Sequence, residues 1–250
     1  MKRHLAALVL VLPLAACGSG DDGQDADSGG NGELTVLAAA SLTDVFEDLA
    51  AGFEEQDDVD VTFSFGSSTD LAEQVAGGAP GDVLATADET SMGLAEDAGV
   101  TGEVEPFATN VLTIVVPRGN PAGITSLDDL DSTTWVRCAD EVPCGKVALA
   151  VLDGAGITAE PVSLEEDVRA TLDKVVSGEA DAGLVYATDA VAAGDDVEAI
   201  EIPDAEADPT SYYATTLDQS EDAGLAADWV AWVTSDEGQA ILGQAGFGSP

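Results

Sequence analysis

Short unbroken apolar runs alternate along this chain with segments whose apolar residues recur at helical spacing, which predicts strand and helix in turn. Residues 34–39 read as a strand, and residues 42–55 as a helix with Val45, Leu49 and Phe53 on one face. A strand over 59–65, a helix over 69–77, a "GGAPGD" turn, a strand over 83–86 and a helix reaching 98 follow. Residues 111–116 form a buried strand, after which "PRGNPAG" breaks the pattern.

A second series begins there. Residues 134–138 and 182–186 read as strands, 145–152 and 168–177 as helices, and 212–217 as a strand before two closing helices over 223–234 and 237–245. Strand and helix in alternation is the signature of an α/β fold with a largely parallel sheet. No short fixed period recurs, so a solenoid is excluded. The expected architecture is two α/β lobes with a ligand cleft between them, lobe 1 comprising 34–114 plus 216–250 and lobe 2 comprising 115–215.

The first residues change the picture of where this fold works. Lys2, Arg3 and His4 precede an apolar stretch, residues 5–14, too short to span a bilayer, and "LAAC" ends at Cys17. This is similar to the lipobox of bacterial lipoproteins, which implies a signal peptide over 1–16, lipidation of Cys17 and a protein anchored by lipid on the extracytoplasmic side of the cell membrane. Residues 17–33 are Gly- and Asp-rich with no large apolar side chain before residue 34, and read as a flexible acidic spacer.

Charge and the missing residue types narrow the chemistry. The chain has 49 acidic against 7 basic residues and a net charge of −42. Such a surface disfavours nucleic acid and anionic lipid, and favours solubility where salt screens self-repulsion. Runs such as Asp57-Asp58 and Asp128-Asp129 read as solvated faces, without a calcium-loop spacing. The single histidine lies in the signal, so catalytic triads and histidine-ligated metal sites are excluded. Cys138 and Cys144, in "CADEVPC", are expected to form a disulfide in this compartment rather than a redox pair.

Two strand-to-helix junctions carry hydroxyls: "AAASLTDV" at Ser41, and "FGSSTDL" at Ser67, Ser68 and Thr69. Capping accounts for either alone, but in open α/β sheets such junctions are also where ligands sit. The unpaired amides of a helix start favour anions, in a molecule whose net charge repels them.

The segments "AAASLTDVFEDLAAGF", "FSFGSSTDLAEQVAGGAPGDVLATAD", "VPCGKVA", "EEDVRATL", "GEADAGLVYATDA" and "EGQAILGQAGF" stand in the order found in the periplasmic molybdate-binding proteins of ABC transporters, which this chain resembles from Leu34 almost to Pro250. The resemblance implies a type II periplasmic binding-protein fold and no enzymatic activity, catalytic residue, cofactor or direct metal-cation ligand. It implies a monomer that binds molybdate or tungstate and hands it to a cognate ABC permease. It also implies an oxyanion held by neutral donors: the hydroxyls of Ser41 and Ser68, the main-chain amides of Cys144 and Val168, and the phenol of Tyr186. Cys144 departs from the family, where a smaller residue such as Ala is usual, but an amide donor survives that exchange.

Taken singly, Tyr186 reads as an ordinary half-buried strand aromatic and Val168 as an ordinary helix start. Arg169 and Lys146 read as ion-pair or surface residues, and Asp82 and Asp88 as turn and cap residues. The alternatives are a sulfate or other oxyanion receptor, and a carboxylate-dependent extracytoplasmic hydrolase on the same scaffold.

Overall fold

The structure, a computed structural model, describes residues 32–55, 59–203, 205 and 209–250. The expected signal peptide, Cys17 and nearly all of the spacer lie outside the described residues. Among the described residues no helix is long and apolar enough to cross a membrane.

The chain opens with β1 (Gly32–Ala39), a short 3₁₀ turn (Ala40–Leu42) and α1 (Thr43–Glu54). Then come β2 (Val59–Gly66), α2 (Ser68–Ala76), β3 (Val83–Thr86), α3 (Glu89–Asp97) and β4 (Thr101–Asn110). The second lobe holds β5 (Leu112–Pro117), β6 (Trp135–Cys138), α4 (Pro143–Ala155), β7 (Ser163–Glu165), α5 (Val168–Val176), β8 (Ala182–Tyr186), α6 (Ala187–Ala193) and β9 (Val197–Glu201). The chain returns through β10 (Thr210–Leu217) and ends in α7 (Ala223–Thr234) and α8 (Asp236–Gln244).

The two five-stranded sheets share one plan, with orders β2-β1-β3-β10-β4 and β7-β6-β8-β5-β9. In the first, β1 is parallel to β2 and β3, while β10 is antiparallel to both its neighbours. In the second, β6 is parallel to β7 and β8, while β5 is antiparallel to both of its own. The reversed strand in each sheet is the one that arrives from the other lobe. It enters beside the carboxyl ends of the parallel strands, Leu112 opposite Tyr186 and Tyr213 opposite Thr86, and must run against them.

This geometry moves the expected lobe limits. The chain crosses at Val111 and between Glu201 and Thr210, rather than at 114/115 and 215/216. All of β5 belongs to the second sheet and all of β10 to the first, because a crossing strand begins at the cleft.

Each sheet is covered on both faces. Phe46 and Phe53 of α1 meet Trp229 of α7 edge-on, at 5.7 and 5.4 Å between ring centroids. On the opposite face Leu71 and Val75 of α2 and Met92 and Ala95 of α3 pack on Leu37, Leu84 and Leu217. Burying each of the larger side chains stabilises the fold by about 1.5–3 kcal/mol. Sheet and helices are thus held rigidly enough to aim the strand-to-helix junctions of both lobes at one another.

Candidate functional site

The carboxyl ends of β1 and β2 face those of β6, β7 and β8 across a cavity of about 20 Å³ lined by Ser41, Ser68, Cys144, Val168 and Tyr186. All five are buried, with exposures between 1 and 4%. A volume this small accommodates one compact ion and excludes sugars and peptides.

The local sequence explains why donors converge here. In α2 the Ser67 hydroxyl accepts only the Asp70 amide, at 3.4 Å, which leaves the Ser68 amide without an intrahelical partner. In α4 Pro143 occupies the first position, where a missing N–H costs nothing, and no side chain caps the helix, so the Cys144 amide is free of capping. In α5 the Asp167 carboxylate, which also lines the cavity, is turned onto the Ala170 amide at 2.9 Å and leaves Val168 uncapped. The positive ends of these helix dipoles reinforce the amides.

The N-terminus of α4 is held by two further features. Cys138, at the end of β6, is bonded to Cys144 by a disulfide. Gly145 lies so close to the Ala139 carbonyl that a Cβ there would stand 1.7 Å from the oxygen, so only glycine permits this approach.

Each serine hydroxyl has one partner behind the cavity. Ser68 Oγ accepts the Ala87 amide at 3.0 Å, which leaves its own proton for the cavity. Ser41 Oγ lies 2.8 Å from the Tyr212 hydroxyl, which is also 3.2 Å from Asn110 Nδ2. Tyr186 Oη has no hydrogen-bond partner although it is buried. Burial, helped by the nearby Tyr212, Asp88 and Asp189, raises the Tyr186 phenol well above its ordinary pKa, so it remains a protonated donor.

The cations stay outside this cavity. Lys146 pairs with Asp88 across the cleft at 2.8 Å, and Asp88 also caps α3 through the Ser91 amide at 2.8 Å. Arg169 bonds Asp44 of the facing lobe and lies 3.2 Å from Asp189, which is fully buried. Burial raises the Asp189 carboxyl to about 7, against the opposing influence of Arg169 and of the Tyr186 amide that it accepts at 3.1 Å. Asp82 receives the Thr35 amide at 2.7 Å and the Ser220 hydroxyl at 2.6 Å, in a turn away from the cavity. Together with a 3.0 Å bond from the Thr69 hydroxyl to the Glu141 carbonyl, the two cross-cleft ion pairs hold the lobes closed.

The match to known proteins runs almost the length of this scaffold: residues 34–248 fit the family model of the bacterial extracellular solute-binding proteins. The chain belongs to that family. Among relatives of this solute-binding protein, the molybdate-binding protein ModA of Mycobacterium tuberculosis is 37% identical over 256 residues, covering 100% of this chain and 98% of its own. The periplasmic molybdate-binding protein of Azotobacter vinelandii superposes with a TM-score of 0.78 at 22% identity, covering 87% of this chain and 99% of its own. The sulfate-binding protein SubI of Mycobacterium tuberculosis gives 0.77 at 22% identity, covering 87% and 86%. The two-lobed periplasmic binding-protein fold is therefore shared with proteins named for different anions.

The five residues singled out in the sequence meet at one cavity, but their supports were not legible there. Asn110 ends a strand that had no pattern, and Tyr212 read only as a strand residue. Neither carries a local signal, because their side-chain partners lie 78 to 171 residues away.

Proposed function

We propose that this protein captures molybdate, and tungstate with it, in the cavity between its lobes, and delivers the anion to an ABC permease. The observation that carries the reading is the donor set. Ser41 and Ser68 supply hydroxyls, Cys144 and Val168 amides, and Tyr186 a phenol, around a space sized for one small ion, with every charged side chain at its border paired or turned into a cap. A dianion of fixed tetrahedral shape suits such a set, because short hydrogen bonds replace its hydration shell while distant carboxylates act through a screened, high-dielectric path. The 37% identity to a protein named for molybdate over essentially the whole chain supports molybdate ahead of sulfate.

Binding would add contacts to both lobes and so favour the closed arrangement that a permease can distinguish from an open one. Lipid on Cys17 would keep the receptor beside its permease. A Cys17→Ala protein is expected in the soluble rather than the membrane fraction. Calorimetric titration with molybdate, tungstate, sulfate, phosphate and a small sugar tests the ligand. The proposal expects molybdate and tungstate to bind most tightly, whereas sulfate ranking first would replace it with a sulfate receptor. Heat only from turnover of an organic ester or glycoside would replace it with a hydrolase.

A further inference from the structure

Ser41, Val168 and Tyr186 each stand within three residues of a charged side chain, and behind the cavity those three charges meet. Arg169, near the start of α5, bonds Asp44 in the first turn of α1 across the cleft, and its Nε lies 3.2 Å from Asp189 in its own lobe. Asp189 is 0% exposed and accepts the Tyr186 amide at 3.1 Å, so it is a fixed anchor. The five proposed donors around the cavity are each at most 4% exposed, which leaves an enclosed anion no way out while the lobes are together. Release waits on their separation, and separation breaks the bond from Arg169 to Asp44.

We infer that Asp44, Arg169 and Asp189 form a clasp that sets how long the anion stays bound, Asp189 positioning Arg169 in one lobe so that Asp44 of the other engages it on closure. The inference rests on the reading of the cavity as an anion site. The second cross-cleft pair is built differently. Lys146 carries a flexible ammonium, its side chain 34% exposed, and its only carboxylate partner among the described residues is Asp88 of the facing lobe. No carboxylate of its own lobe orients it before closure, so ordering the side chain offsets much of what the pair gains. Arg169 is planar and already held by a buried carboxylate, and loses little freedom on meeting Asp44. The clasp at Arg169 therefore contributes more to residence time than the pair at Lys146. Because the contact to Asp44 forms only as the lobes close, it acts on dissociation rather than on the first encounter with the anion.

The test compares wild-type protein with Asp44→Asn, Arg169→Gln, the double variant and Lys146→Gln. Release is timed by chasing bound radiolabelled molybdate with excess unlabelled molybdate, and association by mixing each protein with the labelled anion. The buffer is held at about pH 8, above the value of about 7 to which burial raises Asp189. Asp44 is the safest site to change, because its side chain is 56% exposed and it pairs only across the cleft.

Asp44→Asn and Arg169→Gln should each release molybdate about five- to tenfold faster, an effect between that of an exposed pair and that of a buried one. Association should stay within about twofold of wild type, a split between the two rates that a merely structural role would not produce. The double variant should release no more than about twofold faster than Arg169→Gln, since Asp44 acts through Arg169. Lys146→Gln should quicken release by less than about threefold. If Arg169→Gln does not fold, Asp44→Asn carries the comparison. Unchanged release in Asp44→Asn, a loss confined to association, or a larger effect in Lys146→Gln would each overturn the inference while leaving the anion reading intact. A wild-type protein that binds no molybdate would overturn both.

Discussion

The Ala87 amide donates to Ser68 Oγ at 3.0 Å, joining the turn after β3 to the first residue of α2 and leaving the serine one proton to spend in the cavity. Ser68→Ala therefore removes a proposed donor to the anion and also orphans a buried amide. The expected loss in molybdate affinity is about 1.5–3 kcal/mol, the range for a hydrogen bond to a charged group. Tyr186→Phe should lose a similar amount without destabilising the free protein, because its hydroxyl has no protein partner to give up. Titration calorimetry and thermal unfolding of both variants check this. Unchanged affinity in both would remove these residues from the site.

The interior strands were legible because both faces are buried. Residues 83–85 and 182–186 carry no charged or hydroxyl-aliphatic side chain, and their strands are buried at every position. The strands that sequence patterns missed, β4, β7 and β9, all lie at sheet edges. β4 carries Glu103, Glu105 and Pro106 and has an irregular register against Tyr212 and Tyr213, where a proline does no harm. β7 has only three residues, and β9 alternates weakly between exposed and buried. The site divides in the same way. Helix starts with serine or proline leave a local trace, whereas the Asn110–Tyr212–Ser41 chain exists only once two lobes and two strands have come together.

The bridge between Cys138 and Cys144 spans a sequence separation of 6, and its second half-cystine is the proposed amide donor at the start of α4. A double Cys138→Ala, Cys144→Ala protein should lose about 2 kcal/mol of stability from the freed loop entropy. It should also bind molybdate more weakly, as the helix start gains freedom. Urea unfolding and calorimetry separate the two effects. A stability loss with unchanged affinity would confine the bridge to folding.

Asp189 gives a pH dependence whose sign follows from its burial. Its folded pKa is raised from 3.8 to about 7, so between those values the folded protein holds a proton that the unfolded chain has released. Stability contributed by that proton is fully present below the unfolded pKa and is lost as pH rises toward 7, at no more than about 1.4 kcal/mol per pH unit. Asp189→Asn should flatten this part of the stability curve, though it also weakens the hold on Arg169. Urea midpoints from pH 4 to 8 for the two proteins provide the comparison. Parallel curves would show that Asp189 stays ionised throughout the range.

The last prediction uses the sign of the whole molecule's charge. A pocket built on cationic side chains draws its anion in through long-range fields, and added salt then weakens binding. Here the donors lining the cavity are neutral and the protein carries a net charge of −42, so the long-range force on an approaching dianion is repulsive. Raising ionic strength screens that repulsion, scarcely touches short buried hydrogen bonds, and relieves the self-repulsion that opposes the compact state. The molybdate association rate and the thermal midpoint should therefore both rise from low to moderate sodium chloride, with affinity level or improving. Stopped-flow binding and calorimetry across a chloride series measure this, chloride being preferred because sulfate is itself a tetrahedral dianion. If affinity instead falls steeply while the protein stays folded, Arg169 or Lys146 must leave its carboxylate partner to meet the anion, and the assignment of Ser41, Ser68, Cys144, Val168 and Tyr186 as the principal donors fails.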